Sequence, residues 1–435
     1  MDRLAIGLLV TGLVCLATGL LPTGPASDAM ERIAPLLAFL GTVIVLAELT
    51  SKAEVFDVVA ARVARAGRGS YAALFLLCVA FASVTTIALN LDTTAVLLTP
   101  VMLALASRVG IAVVPLAMTT VWLANTASLL LPVSNLTNLL AADRVALSPA
   151  GLAARMWAPQ LAAIAVTMVC LWVFFWRRGR RGEGTEGAGE AGRDAARAAR
   201  GRTGSGPAGP GAARPEDVRE DAPKDVRARS RDRYRTPPAH RPADPVLFRA
   251  CALACAGFLV AILVADVELW TASAAAAAVA VAAFAVRRRS ELRLSLVPWR
   301  LLVMVPGMFL VVETVNANGL HELLAAAVGD DGGLPGLLRA AGVGAGLSNV
   351  LNNLPVYLAG EAAVPPGNHD QLLALLIGTN VGPVVTPWAS LATLLWYERC
   401  HAYGVRVPVT RLLGTGAVLA VAAVAASVAA LALTG

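Results

Sequence analysis

Asparagine, serine and threonine recur in the middle of long runs of alanine, valine and leucine, where a lipid-facing segment would carry none. Four such interruptions can be read: Asn90-Leu91-Asp92-Thr93-Thr94; Asn125-Thr126-Ala127-Ser128 leading to Pro132-Val133-Ser134-Asn135; Ser348-Asn349 leading to Asn352-Asn353-Leu354-Pro355; and Thr379-Asn380 leading to Thr386-Pro387 and Ser390. Polar side chains in mid-membrane are costly unless they face protein, water or a solute. Proline and glycine beside them free backbone groups that must then be satisfied locally. Two half-helices meeting at such a break aim their ends at one point, and side-chain amides add both donors and acceptors. That chemistry suits a small polar solute, and it makes Asn90, Asn125, Thr126, Ser128, Ser134, Asn135, Asn352, Asn353, Thr379, Asn380, Thr386 and Ser390 the candidate substrate-binding set. The alternative for any one of them is interhelical glue.

Carboxylates are scarce in these runs. Asp92 is the acid within the first interruption, and an acid buried in a membrane can carry a proton or help hold a cation. Glu313, in an apolar run with Phe309 and Val312, is the second coupling candidate; Glu48 stands at a span end and reads as interfacial. His240, His321, His369 and His401 are dispersed, with no Ser-His-Asp arrangement, so neither an enzyme nor a metal site is expected. No glycine-rich loop ends in Lys-Ser or Lys-Thr, and the lysines are Lys52 and Lys224. The expected driving force is therefore an ion gradient, or an ATPase subunit encoded elsewhere, and no cofactor is expected.

The elements that must hold these residues are membrane helices. The 435 residues are 57% hydrophobic and 15% charged, too apolar for a soluble domain. Stretches such as Leu4 to Leu21, Tyr71 to Leu89, Leu269 to Val286 and Leu412 to Leu433 reach the roughly 20 residues needed to cross a bilayer. Lipid cannot satisfy open backbone amides, so these runs are helices, the first of them an uncleaved span. The cysteines, Cys15, Cys78, Cys170, Cys251, Cys255 and Cys400, are scattered. Cys251 and Cys255, one helical turn apart, read as apolar filler before they read as a pair of metalloid thiolates.

The two ends of the chain repeat one another. Asn125, Pro132 and Asn135 have counterparts 255 positions on in Asn380, Pro387 and Ser390. Broken apolar segments in corresponding positions of two halves predict a transporter with its site between the repeats. The expected division is a first transmembrane repeat over 1–176, a linker over 177–245 and a second repeat over 246–435. Arg177 to Asp244 holds 17 Lys and Arg against 11 Asp and Glu, a net +6 of the chain's +7. Its Gly, Pro, Ala and Arg content cannot bury a core, so it reads as disordered, and its charge gives no reason to expect nucleic acid. Arg177, Arg178, Arg180 and Arg181 against one span, and Arg287, Arg288 and Arg289 two spans later, predict a cytoplasmic linker in an inner-membrane protein.

At these same residues the chain resembles the arsenite and antimonite efflux permease family, within the ion transporter superfamily that also holds sodium-coupled carboxylate carriers. The resemblance is carried by Ala88 to Asp92 and Thr99-Pro100, Asn125 to Ser128 and Ser134-Asn135-Leu136, Pro298-Trp299 to Val312, Asn352 to Pro355, and Gly378 to Trp396. It implies an all-α polytopic membrane protein of about 10 to 12 transmembrane segments in two inverted repeats, with helical hairpins and broken helices. It also implies a homodimer with a scaffold and a moving transport domain, and efflux of arsenite or antimonite in exchange for protons. A sodium-coupled carboxylate or anion carrier and a sodium/proton antiporter of the same superfamily stay open at this point.

Overall fold

The structure, a computed structural model, describes residues 2–177, 234, 236–265, 267–329 and 332–434. Helices α1 (Asp2–Ala17), α2 (Thr23–Lys52) and the amphipathic α3 (Val55–Ala66) lead into a hairpin of α4 (Tyr71–Ala88) and α5 (Leu91–Val109). Then come α6 (Val113–Thr126), α7 (Leu136–Arg144) and α8 (Pro149–Trp176). The second half runs through α9 (Pro245–Val264), α10 (Leu269–Arg287), α11 (Trp299–Val315) and α12 (His321–Val328). A second hairpin, α13 (Gly333–Val350) and α14 (Asn353–Ala363), precedes α15 (His369–Val381), α16 (Leu391–Ala402) and α17 (Val409–Thr434). No strand occurs among the described residues. Eight helices among them are long and apolar enough to cross a membrane, and Ala5–Ala17 and Val113–Thr126 are shorter apolar ones. The protein is a multi-pass membrane protein.

The two faces follow from contacts at the helix ends. On one face, the Tyr234 amide donates to the Gly69 carbonyl at 2.9 Å, Arg287 pairs with Asp244 at 3.0 Å, and Arg411 donates to the Phe174 carbonyl at 3.2 Å. On the other, Arg155 pairs with Asp370 at 2.6 Å and Gln371 donates to the Gly329 carbonyl at 2.6 Å. Hairpin α4–α5 therefore starts and ends at the linker face, while α13–α14 starts and ends at the opposite face. The repeats are inverted.

Each break has a local cause. Thr85 and Thr86 donate to the Phe81 and Ala82 carbonyls at the end of α4, offering the backbone an alternative to another helical turn. Asn90 then caps α5, its Oδ1 accepting from the Thr93 amide at 2.7 Å. The π-helical stretch Thr94–Leu98 stands just before Pro100, which has no amide proton to give to the preceding turn. Helices α6 and α15 end at Thr126 and Val381, and α7 and α16 begin at Leu136 and Leu391, both pairs 255 positions apart. Asn135 and Ser390 cap the restarted helices.

Glycines let the second repeat pack closely. A Cβ on Gly378 would collide with the Ala341 carbonyl, and one on Gly344 would sit 3.0 Å from the Leu375 carbonyl, so α13 and α15 meet backbone to backbone. The linker expected over 177–245 falls largely outside the described residues. Two of its described residues are held: Tyr234 is buried and donates to the Ala64 carbonyl of α3, and His240 meets Glu54, just before α3, at 2.8 Å. Cys251 and Cys255 pack on α2, Cys255 3.3 Å from the Thr50 hydroxyl.

Candidate functional site

The two broken helices cross at their breaks and exchange hydrogen bonds. Asn380 Nδ2 donates to Asn138 Oδ1 at 2.6 Å, and Asn125 Nδ2 donates to Thr393 Oγ1 at 3.3 Å. These are the same contact in two copies, because Asn125 and Asn380, like Asn138 and Thr393, stand 255 positions apart. Thr137 adds a third bond, its hydroxyl donating to Asn380 Oδ1 at 2.6 Å. All five side chains are fully buried.

Each hairpin tip packs against the break of its own repeat. Ser134 donates to the Ile87 carbonyl at 3.0 Å beside Asn90. In the second repeat Thr386 donates to the Asn349 carbonyl at 2.8 Å, Asn352 Nδ2 to the Trp388 carbonyl at 3.0 Å, and the Asn353 amide to the Ala389 carbonyl at 2.8 Å. Ser390 bonds the Thr393 hydroxyl at 2.9 Å, and Ser128 donates to the Asn125 carbonyl at 2.6 Å. The expected residues thus surround the crossing, with two exceptions. Thr126 accepts from Thr167 on α8 at 2.9 Å, and Thr379 back-bonds to the Leu376 carbonyl beside the α13 contact, so both tie helices together. Glu313 is half-buried on α11, whereas Asp92 lines a cavity beside the crossing.

Buried polar atoms without partners mark where this arrangement is incomplete. Asn125 Oδ1 and Asn135 Nδ2, an acceptor and a donor at the two ends of the first break, make no hydrogen bond; neither do Asp92 Oδ1 and Thr93 Oγ1 in the first hairpin. Unpaired buried groups of this kind are rare and costly unless a ligand or water completes them. Asp92 and Thr93 line a cavity of about 170 Å³ bounded by Ile44 and Glu48 of α2, Pro298, and Leu391 and Leu395 of α16. Glu48, expected at the interface, shares this cavity with Asp92.

Sequence reasoning missed Thr137, Asn138 and Thr393, which complete the crossing bonds, and Glu361, the one charged side chain fully buried among the described residues. The 255-position offset, extended three residues past Asn135, pairs Asn138 with Thr393 and could have found both.

Inverted hairpins facing crossed, interrupted helices with a polar centre are the architecture of a membrane transporter. The chain belongs to the CitMHS family, described as citrate transporter, which it matches over residues 1–392. It is 27% identical over 371 residues to an arsenical pump membrane protein of Yersinia enterocolitica, covering 81% of this chain and 76% of that one. An arsenical pump membrane protein of Escherichia coli K12 is 26% identical over 400 residues, covering 88% and 82%. Among solved structures, the YdaH transporter of Alcanivorax borkumensis, described as having an unusual topology, aligns with a TM-score of 0.53 at 12% identity, covering 94% of this chain and 86% of that one. That last likeness concerns the fold alone.

Proposed function

We propose that this transporter exports trivalent metalloid hydroxides, arsenite and antimonite, in exchange for protons. The observation that carries the reading is the unpaired acceptor and donor, Asn125 Oδ1 and Asn135 Nδ2, at the first break. Arsenous acid is a small neutral trihydroxide, and each hydroxyl both donates and accepts, so it answers both atoms without needing a fixed charge. No Lys or Arg is fully buried among the described residues, which favours a neutral solute over a multiply charged one. The names of the relatives point the same way.

In this reading the crossing residues hold the solute, the hairpin tips at Asn90 and Asn352 close over it, and Asp92 carries the coupling proton. Residues 1–176 and 246–435 form the two repeats, and the basic linker lies in the cytoplasm of an inner-membrane protein. A homodimer and an ATPase subunit are the protein partners to seek. The second reading, a citrate or other carboxylate carrier coupled to sodium, is favoured by the family's description. Flux of arsenite, antimonite and citrate in proteoliposomes, under imposed proton and sodium gradients, decides between them. Citrate uptake driven by sodium, with no metalloid flux, sinks the first reading.

A further inference from the structure

We propose that Glu361 is a second proton-carrying carboxylate, set at the inner end of an access path on the face opposite the linker; the inference rests on the transport reading above. Glu361 lies on α14, the descending arm of the second hairpin. It is 4% exposed, and among the described residues no other charged side chain is buried so fully. A carboxylate placed so deep in a spanning bundle is retained only for a partner or a pathway.

Its surroundings supply the pathway. Asn353, Tyr357 and Glu361 follow one another at four-residue spacing, so they line one face of α14, and all three are buried. The stripe begins at the hairpin tip, where the Asn353 amide bonds the Ala389 carbonyl beside the crossing. It spans about 12 Å at the helical rise per residue. At its far end Glu361 lines a cavity of about 130 Å³ whose other polar walls include Arg144 and His369, both exposed. Gly360, beside it, faces Leu375 of α15, whose side chain would stand 2.8 Å from a Cβ placed there.

The charged and titratable groups on the elements packed around α14 are Asp143 and Arg144 on α7, Arg300 and Glu313 on α11, His321 and Glu322 on α12, Arg339 on α13, and His369 and Asp370 on α15. Asp370 is paired with Arg155, and Arg339 donates to the Ala326 and Ala327 carbonyls. Arg144 and His369 are the two that share the cavity with Glu361. The exchange needs no covalent chemistry. The Glu361 carboxylate takes a proton from water entering past Arg144 and His369 and gives it up along the Tyr357–Asn353 stripe toward the crossing, from where it leaves at the linker face, while the solute moves the other way. Asp92, in the first hairpin, borders the cavity that reaches Pro298 near the linker face. The two acids thus stand on opposite sides of the crossing.

The test compares wild type, Glu361→Gln and Glu361→Asp in proteoliposomes of known orientation. Glu361→Gln is expected to keep arsenite counterflow at equal pH but to lose proton-driven accumulation and its pH dependence, and Glu361→Asp to restore part of both. A wild-type pH profile for Glu361→Gln overturns the proposal, as does parallel loss of counterflow and of thermal stability, which marks a structural ion pair. A second arm needs no substrate. Tyr357→Cys and Glu361→Cys, checked for folding by thermal unfolding and set against the wild-type background, are treated with a membrane-impermeant thiol reagent from either face. Labelling of Glu361→Cys from the face opposite the linker supports the path; labelling from the linker face, or none, overturns it. If wild type moves neither arsenite nor antimonite, the transport reading falls while the labelling still decides the path.

Discussion

The two hairpins share one design and differ in their surroundings. At the tip of the first, Leu89, Asn90 and Leu91 are buried, with Asn90 4% exposed. At the second tip Leu351 is 61% exposed and Trp388, which accepts from Asn352, is 50% exposed. The broken helices differ in the same direction. Asn380 uses both ends of its amide in bonds to the other repeat, while Asn125 leaves Oδ1 unpaired. Inverted repetition therefore fixes the backbone of the site without fixing its chemistry. At the break itself the first repeat leaves hydrogen bonds unfinished, at Asn125 and Asn135, where Asn380 of the second completes its own.

The sharpest way to break that comparison is to neutralise the acid of the first hairpin. Asp92→Asn keeps size and hydrogen bonding but fixes a neutral group. Under the proposed function it abolishes gradient-driven accumulation in everted vesicles while retaining solute binding. Accumulation at the wild-type rate and pH dependence would remove Asp92 as the coupling group and leave Glu361 and Glu313 to carry that role.

The next contrast sets Asn380 against Asn125. Asn380→Ala strands Thr137 and Asn138, both buried, and is expected to cost about 1–3 kcal/mol of stability. Asn125→Ala breaks only a 3.3 Å bond across the repeats and a bond to its own helix, so its stability loss is expected at the low end, about 1 kcal/mol. Its effect on arsenite affinity should be the larger of the two, because it deletes the unpaired acceptor. Thermal unfolding and solute binding, measured on both variants, check this. Equal losses in both quantities would favour interhelical glue at both positions.

A smaller effect separates the linker from its docked end. Deletion within 182–232, which lies outside both repeats and is rich in Gly, Pro and charge, is expected to leave transport and unfolding temperature unchanged. Extending the deletion through Tyr234 removes a buried ring and its bonds to Ala64 and Gly69, and should lower the unfolding temperature without abolishing flux. Loss of flux in the shorter deletion would show that the linker takes part in the transport cycle.

Much of this architecture was legible because membrane helices announce themselves by composition, and because a repeat with a constant offset names its own partners. The offset paired Asn125 with Asn380 and Asn135 with Ser390. Thr126 and Thr379 stand outside the crossing bonds, since mid-helix threonines also serve to back-bond their own helix and touch a neighbour. Glu361 escaped because its string, Tyr357-Leu358-Ala359-Gly360-Glu361, looks like the end of a span, and its burial shows only once the helices are packed. The docking of Tyr234 was equally hidden, because composition describes a segment's average and not its last few residues.

The smallest expected effect concerns the linker face, and it sharpens the contrast between groups that hold the fold and groups that serve the site. Lys52, at the end of α2, meets Glu291, in the turn between α10 and α11, at 2.5 Å, with both side chains more than 30% exposed. The hydrogen bond from the Lys52 ammonium holds the Glu291 carboxyl below its ordinary value, aided by the charges of Lys52, Arg293 and Arg288. A carboxyl depressed in the folded state contributes stability that is present above its unfolded value, and that contribution is lost as pH falls through the folded value. Solvent screening keeps it small. Glu291→Gln should therefore lower the unfolding temperature slightly at neutral pH, and the gap to wild type should close on acidification below the ordinary carboxylate range. It should leave the pH dependence of flux unchanged, since the pair touches neither Asp92 nor Glu361. A shifted flux profile in Glu291→Gln would mean that the linker face is coupled to the site, and that the two kinds of charged group are not separate.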